Sequence, residues 1–274
     1  MAYSTGKSAV ITGAGSGIGR ALAQHLNREG CALFLSDVDS AGLTETVASL
    51  ERKDIPVAQQ LVDVSDKAAM DRWAATIAEQ QPAVDIVVNN AGVAYSARVD
   101  ECNYDDVQWL MGVNFWGVVH GTLAFLPLLK AAPQGHLVNI SSIFGMIGVP
   151  TQSAYNAAKF AVRGYTESLR MEMEGSNVHV CCVHPGGVGT NIARRSRGGP
   201  ADISADEKAA IFDQHVRTTA ESAAAQIITA VAKKKPRLIL GPDAKFINLL
   251  ARLFPVSYPR FMPGLGKVGR DESA

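Results

Sequence analysis

The sequence predicts an α/β fold with a parallel, doubly wound sheet, on three observations. Short β-branched runs alternate with longer amphipathic stretches along the whole chain. The runs are apolar without strict alternation. Clusters of Gly, Asn, Ser and Pro stand where the runs end.

The runs are Ser8–Thr12, Ala32–Ser36, Val57–Val62, Ile86–Asn89, His136–Ile140, Val178–Val183 and Arg237–Leu240. They read as strands buried on both faces, since a half-buried strand would alternate. The helical patterns between them are roughly Gly17–Glu29, Ser40–Lys53, Asp66–Gln80, Tyr104–Leu129, Ser153–Glu174 and Ala220–Lys233. Strand–helix repeats of this spacing require right-handed crossovers and a seven-stranded parallel sheet with helices on both faces. No Ser/Gly/Pro-rich run or block of like charge divides the 274 residues, so residues 1–274 are expected to form one domain. Ligands on such a sheet bind at the carboxyl ends of the strands, near the switch point.

Composition narrows the function. Apolar residues make up 47% and charged residues 19%, enough for a sizeable core and too little charge for disorder. Lys+Arg and Asp+Glu are 26 each, so no global field recruits nucleic acid or an anionic membrane, and neither is expected as a partner. Arg194, Arg195 and Arg197, and Lys233 to Lys235, read as solvated charge. Cys31, Cys102, Cys181 and Cys182 form no CxxC and no metal spacing, which fits buried thiols of a reducing compartment. The six histidines form no cluster, so no metal is expected. Trp109–Leu129 is apolar enough to cross a membrane, but it carries Asn114, His120, Gly112, Gly117 and Gly121 and reads as a buried helix. The chain shows no signal peptide, and a cytoplasmic location is expected.

The first strand leads into Thr12-Gly13-Ala14-Gly15-Ser16-Gly17-Ile18-Gly19 and then a helix. Glycines allow a tight turn and close backbone approach to a pyrophosphate, and the helix N-terminus supplies free N–H groups and positive dipole. The pattern is not G-x-G-x-x-G, whose third glycine would fall at Arg20, and no Gly-Lys-Ser/Thr follows. A plain tight turn is the alternative. The second strand ends at Asp37, about twenty residues further on, a spacing that suits an acid on the adenosine ribose and favours NAD(H) over NADP(H). Asp37 could also cap the next helix, although Asp39 and Ser40 are better candidates. Neither Ser16 nor Val38 is the Arg or Lys that a 2′-phosphate would want.

Tyr155 and Lys159 are four apart in a helical stretch and share one face. At about 4 Å and an effective dielectric near 20, an ammonium favours a phenolate by roughly 4 kcal/mol. That is about three pKa units, enough to bring a tyrosine toward neutrality for acid–base work. Such a pair alone also fits a helix surface. Ser142, thirteen residues before Tyr155, closes the fifth strand, where its hydroxyl can share a substrate oxygen with the tyrosine or simply cap a turn.

Together these residues resemble the short-chain dehydrogenase/reductase family, almost end to end. Thr12–Gly19, Asp37, Asp63-Val64, Asn89-Asn90-Ala91-Gly92, Asn114, Ser142, Tyr155-Asn156-Ala157-Ala158-Lys159 and Pro185-Gly186 with Thr190 follow in the family's order. Ala158 departs from it, standing where serine is usual. The resemblance implies a single-domain Rossmann fold and an oxidoreductase acting on CH–OH groups. It implies that Asn114, Ser142, Tyr155 and Lys159 carry the chemistry, with Asn114 anchoring a water in a proton relay through Lys159. It places Asp63 and Val64 on adenine, Val88 to Gly92 along the cofactor, Lys159 on the nicotinamide ribose, and Val188 and Thr190 on the carboxamide. The His184-Pro185-Gly186-Gly187 turn is similar to that of bacterial broad-specificity ketone and alcohol dehydrogenases.

The expected substrate is a hydrophobic alcohol, ketone or steroid-like molecule in a pocket lined by Ala94, Tyr95, Phe144, Met146, Gln152 and Ile192. Residues 190–215, broken by Gly198-Gly199-Pro200, are expected to form a mobile lid. In the tail, residues 243–274, Asp243 is expected to cap a helix whose apolar face is Phe246, Leu250, Leu253 and Phe254, and which helps build a homodimer or homotetramer. A lyase or epimerase on the same fold, or a regulatory dinucleotide-binding protein, are the alternative functions; the intact Asn/Ser/Tyr/Lys set argues against the latter.

Overall fold

Alternate residues of the central strands point to opposite faces, and in this chain both faces are apolar. A computed structural model describes residues 2–262 apart from 191, 193, 200–203, 205, 208–209 and 211–215. Its main elements run in the order β1 (Ser8–Thr12), α1 (Gly17–Arg28), β2 (Ala32–Asp37), α2 (Ser40–Ala48), β3 (Val57–Leu61), α3 (Lys67–Gln80), β4 (Ile86–Asn89) and β5 (Tyr95–Ser96). Then come α4 (Tyr104–Met111), α5 (Gly117–Ala131), β6 (Gly135–Ile140), α6 (Ser153–Glu172), β7 (Val178–Pro185), β8 (Arg197–Gly198), α7 (Ala220–Ala232), β9 (Arg237–Leu240) and α8 (Pro242–Leu253).

Seven strands form one parallel sheet in the order β3-β2-β1-β4-β6-β7-β9. The order reverses between β1 and β4, which makes their carboxyl ends the switch point. On one face Ala9, Ile11, Leu33, Leu35, Val138 and Val183 pack against Leu22 and Leu26 of α1 and Ile227 and Val231 of α7. On the other, Val10, Val87, Leu137 and Val180 meet Met70, Trp73 and Ile77 of α3, Phe125 and Leu129 of α5 and Leu169 of α6. Each Val, Leu, Ile, Phe or Met among these, when fully buried, contributes roughly 1.5–3 kcal/mol against leaving it in water. The two apolar layers are what hold the strand ends in register.

Three elements differ from the sequence reading. β3 is an edge strand, half-buried at Val57 and exposed from Ala58 to Leu61, rather than covered on both faces. Its Gln59 and Gln60 are the polar residues an edge tolerates. α2 stops at Ala48, well short of Lys53, after a start capped by Asp39, which accepts the Gly42 N–H at 3.0 Å. The long apolar stretch is two helices joined by a π-helical turn, Gly112–Trp116. Tyr104–Ala131 is long and apolar enough to cross a membrane, and half of its most apolar stretch is buried in this fold. Leu110, Val118, Phe125, Leu128 and Leu129 are among its buried residues, with Asn114, Gly117, Gly121 and Thr122. Its glycines have a packing purpose: a Cβ on Gly117 would lie 2.6 Å from Val64 Cγ2, and one on Gly121 would overlap the Asn89 carboxamide. The helix therefore lies unusually close to the ends of β3 and β4. Among the thiols, Cys31, Cys181 and Cys182 are buried, whereas Cys102 is exposed.

Two buried imidazoles lie within the sheet, His136 on β6 and His184 on β7, 2% and 0% exposed. Burial, helped at His136 by the neighbouring His179, pushes both down to about 4. Unfolding returns them to about 6.5, so below that pH the unfolded chain takes up protons that the folded chain refuses. Stability should be complete above pH 6.5 and fall by roughly 2 kcal/mol per histidine between there and pH 5. Urea midpoints at pH 7 and pH 5 check this; equal midpoints would contradict it.

Candidate active site

Every motif picked out in the sequence from Gly13 to Thr190 lies at or near the carboxyl edge of the sheet. The turn after β1 is possible only because its glycines lack side chains. Gly13 and Gly17 take φ of +65° and +52°. A Cβ on Gly13 would sit 2.7 Å from the Ala91 Cα, and one on Gly19 would overlap the Gly13 carbonyl. Ser16 precedes the first residue of α1 without capping it through its side chain, and Ile18 packs onto the core beneath the turn. Asn90 braces the turn from the next strand: its Nδ2 donates to the carbonyls of Thr12 at 2.9 Å and Gly13 at 3.1 Å, while the Asn90 and Ala91 N–H groups donate to Thr12 Oγ1.

Asp37 closes this cradle. Its Oδ2 accepts the Gly15 N–H at 2.7 Å and its Oδ1 the Asp39 N–H at 3.0 Å, so it marks the rim of the glycine turn and does not cap α2. Beside it Val38 and Leu61, both more than half exposed, stand at the ends of β2 and β3. Asp63 turns one carboxylate oxygen onto Ser65, and the buried Val64 gives its carbonyl to His120 Nδ1 at 2.9 Å.

The second half of the site surrounds α6. Ser142 follows β6, and its Oγ accepts the Phe144 N–H at 3.1 Å. Tyr155 lies in the first turn of α6, beside the Ser142 hydroxyl that bears on its pKa, with the Phe144 ring edge-on at 6.1 Å. Lys159, one turn on, is 4% exposed; its Nζ lies 5.7 Å from the centre of the Tyr155 ring and donates to the Ile140 carbonyl at 3.1 Å. Asn114 sits in the π-helical turn, fully buried, with Oδ1 on the Val93 N–H and Nδ2 on the Val93 carbonyl, each at 2.8 Å. A Cβ on Gly92 would lie 3.2 Å from Asn114 Oδ1 and 3.6 Å from Lys159 Nζ, so the two converge on that glycine. Residue spacing gave no sign of the π turn, although such turns recur at functional sites.

The electrostatics differ from the sequence estimate. Burial pushes the Tyr155 phenol up to about 12 and the Lys159 ammonium down to about 8; the Ser142 hydrogen bond pulls the phenol the other way, more weakly. The ammonium is turned onto a carbonyl, and desolvation is the largest influence on both groups.

The loop after β7 lies over the cradle: Pro185 and Gly186 end the strand, Val188 is buried, and Thr190 sits beside Gly17, where a Cβ would meet its methyl at 3.0 Å. Asn191 and Ala193 lie outside the described residues, as does most of the expected lid beyond Gly199. Its described part is clamped. β8 pairs with β5, Arg195 meets Asp39 at 2.6 Å, and Arg197 meets Asp106 at 2.8 Å with its guanidinium 3.7 Å above the Trp109 ring. The Gly42 N–H and the Arg195 guanidinium hold the Asp39 carboxyl below its usual range. These arginines are anchors rather than solvated charge. Tyr95 is also misassigned by the sequence: it is buried beneath α4 with Leu110, and its hydroxyl accepts the Asn103 N–H at 2.7 Å. Phe144, Gln152 and Ile192 are partly exposed. Asn156 was overlooked as a brace; it bonds the Phe144 carbonyl (2.8 Å), the Ile147 carbonyl (2.7 Å) and the Val149 N–H (3.1 Å).

The short chain dehydrogenase profile matches residues 7–200. SadH of Mycobacterium tuberculosis H37Rv, a protein named as an oxidoreductase, is 45% identical over 267 residues, 96% of each chain. The chain belongs to the short-chain dehydrogenase/reductase family. A family member from Burkholderia phymatum, solved in complex with NAD, superposes with a TM-score of 0.84 at 31% identity over 92% of this chain and 95% of its own. The 3-ketodihydrosphingosine reductase of Bacteroides thetaiotaomicron is 34% identical over 67% of this chain and 64% of its own length. Family membership makes this an oxidoreductase fold that binds a nicotinamide dinucleotide, and the glycine cradle, into which no side chain could be added at Gly13 or Gly19, fits one.

Two glycines separate these effects. Gly13→Ala should cost at least about 1–2 kcal/mol of stability through its left-handed φ, and weaken dinucleotide binding more than tenfold. Gly164→Ala, exposed on α6 with nothing within 4 Å of the added carbon, should instead stabilise by roughly 0.5–1 kcal/mol. Thermal melts and dinucleotide titrations of the two variants check the contrast.

Proposed function

We propose that this protein interconverts a carbonyl and a secondary alcohol, with Tyr155 as the proton-transfer group. The observation that carries the reading is Tyr155 set beside Ser142 past the carboxyl end of β6, with the buried Lys159 Nζ 5.7 Å from the centre of its ring. Ser142 Oγ and Tyr155 Oη hold the substrate oxygen, where negative charge develops during reduction. A bound nicotinamide supplies or accepts the hydride. Tyr155 gives its Oη proton to the substrate oxygen; held up to about 12 by burial, it is protonated throughout the neutral range and poised for reduction. For oxidation it must accept that proton, which the Lys159 charge favours while Lys159 itself stays protonated, below about pH 8. Asn114, in the widened turn, anchors a water that links Lys159 to solvent.

In this reading Gly13, Ser16, Gly17, Ile18 and Gly19 receive the pyrophosphate at the helix N-terminus, and Asp37 receives the adenosine ribose hydroxyls. Asp63 and Val64 border the adenine. Asn90, Ala91, Gly92 and Lys159 line the nicotinamide half, with Pro185, Gly186, Val188 and Thr190 over it. A 2′-phosphate beside Asp37 would meet like charge worth roughly 1–4 kcal/mol, which favours NAD(H). The substrate side is formed by Ser142, Phe144, Gln152 and Ile192, of which Phe144 and Ile192 offer apolar surface to a hydrophobic ketone or alcohol. A ketone is also the substrate in the name of the Bacteroides relative.

A homo-oligomer is part of the proposal. α8 starts at Gly241 and Pro242, so Asp243 lies inside its first turn and is not its cap. Phe246, Leu249 and Leu253 are each more than half exposed on α8, as are Trp116 and Leu123 near α5, and Met171 on α6. A closed symmetric assembly would cover such faces. A monomer by light scattering at micromolar concentration would sink this part.

Tyr155→Phe keeps the ring and removes the transferable proton. Turnover in an NADH-linked ketone assay should fall by about 10²–10⁴-fold with dinucleotide affinity nearly unchanged, and the unaltered protein should favour NADH over NADPH. Near-normal turnover in the variant would refute the role of Tyr155, and a preference for NADPH would refute that of Asp37.

A further inference from the structure

The C-terminal segment is fastened to the two loops that flank Tyr155, at two separate points. Its last described turn, Tyr258–Phe261, reaches the loop after β6: the Gly148 N–H donates to Tyr258 Oη at 2.7 Å, and the hydroxyl donates back to the Gly148 carbonyl at 3.2 Å. Its first turn reaches the loop after β7. The Gly187 N–H donates to Asp243 Oδ2 at 2.8 Å, and a Cβ on either Gly186 or Gly241 would overlap that carboxylate. Between the two points α8 lies against the Ile143–Gly145 turn that follows Ser142.

The loop after β6 needs an outer support. Thr151 adopts φ +65°, a left-handed conformation that a β-branched residue avoids. It is held there by the Ala97 N–H on its carbonyl at 2.9 Å and by Ser96 Oγ on its hydroxyl at 3.2 Å. Asn156 ties the loop from within, next in sequence to Tyr155. Tyr258 is the tie from outside. A loop with a strained residue relaxes when a restraint is removed, and here the first residues to move would be those beside Phe144 and Gln152.

We propose that residues 242–261 form a brace across the substrate cleft, in which Tyr258 is a positioning residue for the substrate-side loop and Asp243 a positioning residue for the cofactor-side loop. Substrate-size selectivity is then set from the chain's C-terminal segment, outside the sequence motifs. The inference rests on the proposed ketone reductase reading for its kinetic readout and on the fold alone for its structural one.

The test uses the full-length protein, NADH and methyl ketones from 2-butanone to 2-decanone. Tyr258→Phe should raise KM for the longer ketones at least fivefold and alter the chain-length preference, with the Kd for NADH within twofold of normal. Asp243→Ala should do the reverse, weakening NADH at least fivefold, and Asp243→Asn, which keeps an acceptor for the Gly187 N–H, should restore most of it. General loosening would move both constants together in every variant, and that result overturns the proposal, as does an unchanged chain-length profile in Tyr258→Phe. Tyr155→Phe, run in parallel, reports on the chemistry separately: its survival would refute the ketone reductase reading without touching the brace. Hydrogen exchange reads the brace with no turnover at all. The Gly148 amide should lose protection in Tyr258→Phe and the Gly187 amide in Asp243→Ala; unchanged protection at both overturns the inference.

Discussion

The Lys159 ammonium is carried into a site nearly closed to water, and its Nζ is received by the Ile140 carbonyl at 3.1 Å, at the end of a central strand. A cation so placed is expensive to bury, and the depression of its pKa to about 8 is the sign of that cost. Much of the surrounding structure keeps this contact in place. Ser141 Oγ donates to the Lys159 carbonyl at 2.8 Å, and Gly145 has no Cβ because one would meet that carbonyl at 2.6 Å. α6 is thereby pressed onto the end of β6, and Tyr155, one turn before Lys159, is brought beside Ser142. The same contact leaves the ammonium beside the phenol ring, 5.7 Å from its centre.

A second set of ties joins the strand ends to one another. Asn90 holds the glycine turn, Asn114 holds Val93, and Asn156 holds the loop after Ser142, each by pairing a carboxamide with backbone groups. Deeper in the sheet, Asn89 Nδ2 donates to Asn139 Oδ1 at 2.8 Å and Asn139 Nδ2 to Thr166 at 3.1 Å. Buried amides of this kind are costly unless paired, and once paired they fix register between elements that apolar contact alone would let slide. The site is thus rigid beneath. Above it, the loop after β7 and the C-terminal segment are held by a few polar contacts near the surface, at Asp39, Asp106, Gly148 and Gly187.

Local patterning was enough to find the seven strands of the sheet, the glycine turn at Gly13 to Gly19 and the shared helix face of Tyr155 and Lys159. Each of those readings depends on neighbours in sequence: apolar runs, glycines in a row, a tyrosine and lysine one turn apart. The readings that needed correction depend on neighbours in space. Val57–Leu61 looked like a covered strand because its position in the strand order is not written in its composition. Tyr95 looked like a pocket wall because nothing in the sequence places α4 over it. Arg195 and Arg197 looked like free charge because Asp39 and Asp106 lie some 156 and 91 positions away.

The sequence by itself determined the class of fold and the order of its main elements, and it nominated the residues of the candidate site, since hydrophobic periodicity and short-range spacing act within a few residues. Tertiary structure alone decided the pKa values, which depend on burial and on where the Lys159 Nζ turns. It also decided the π-helical turn at Asn114, the strain at Thr151 and the fastening of Tyr258 and Asp243 onto the cleft. These arise from desolvation, close packing and contacts between distant segments, quantities that exist only once the chain has closed on itself.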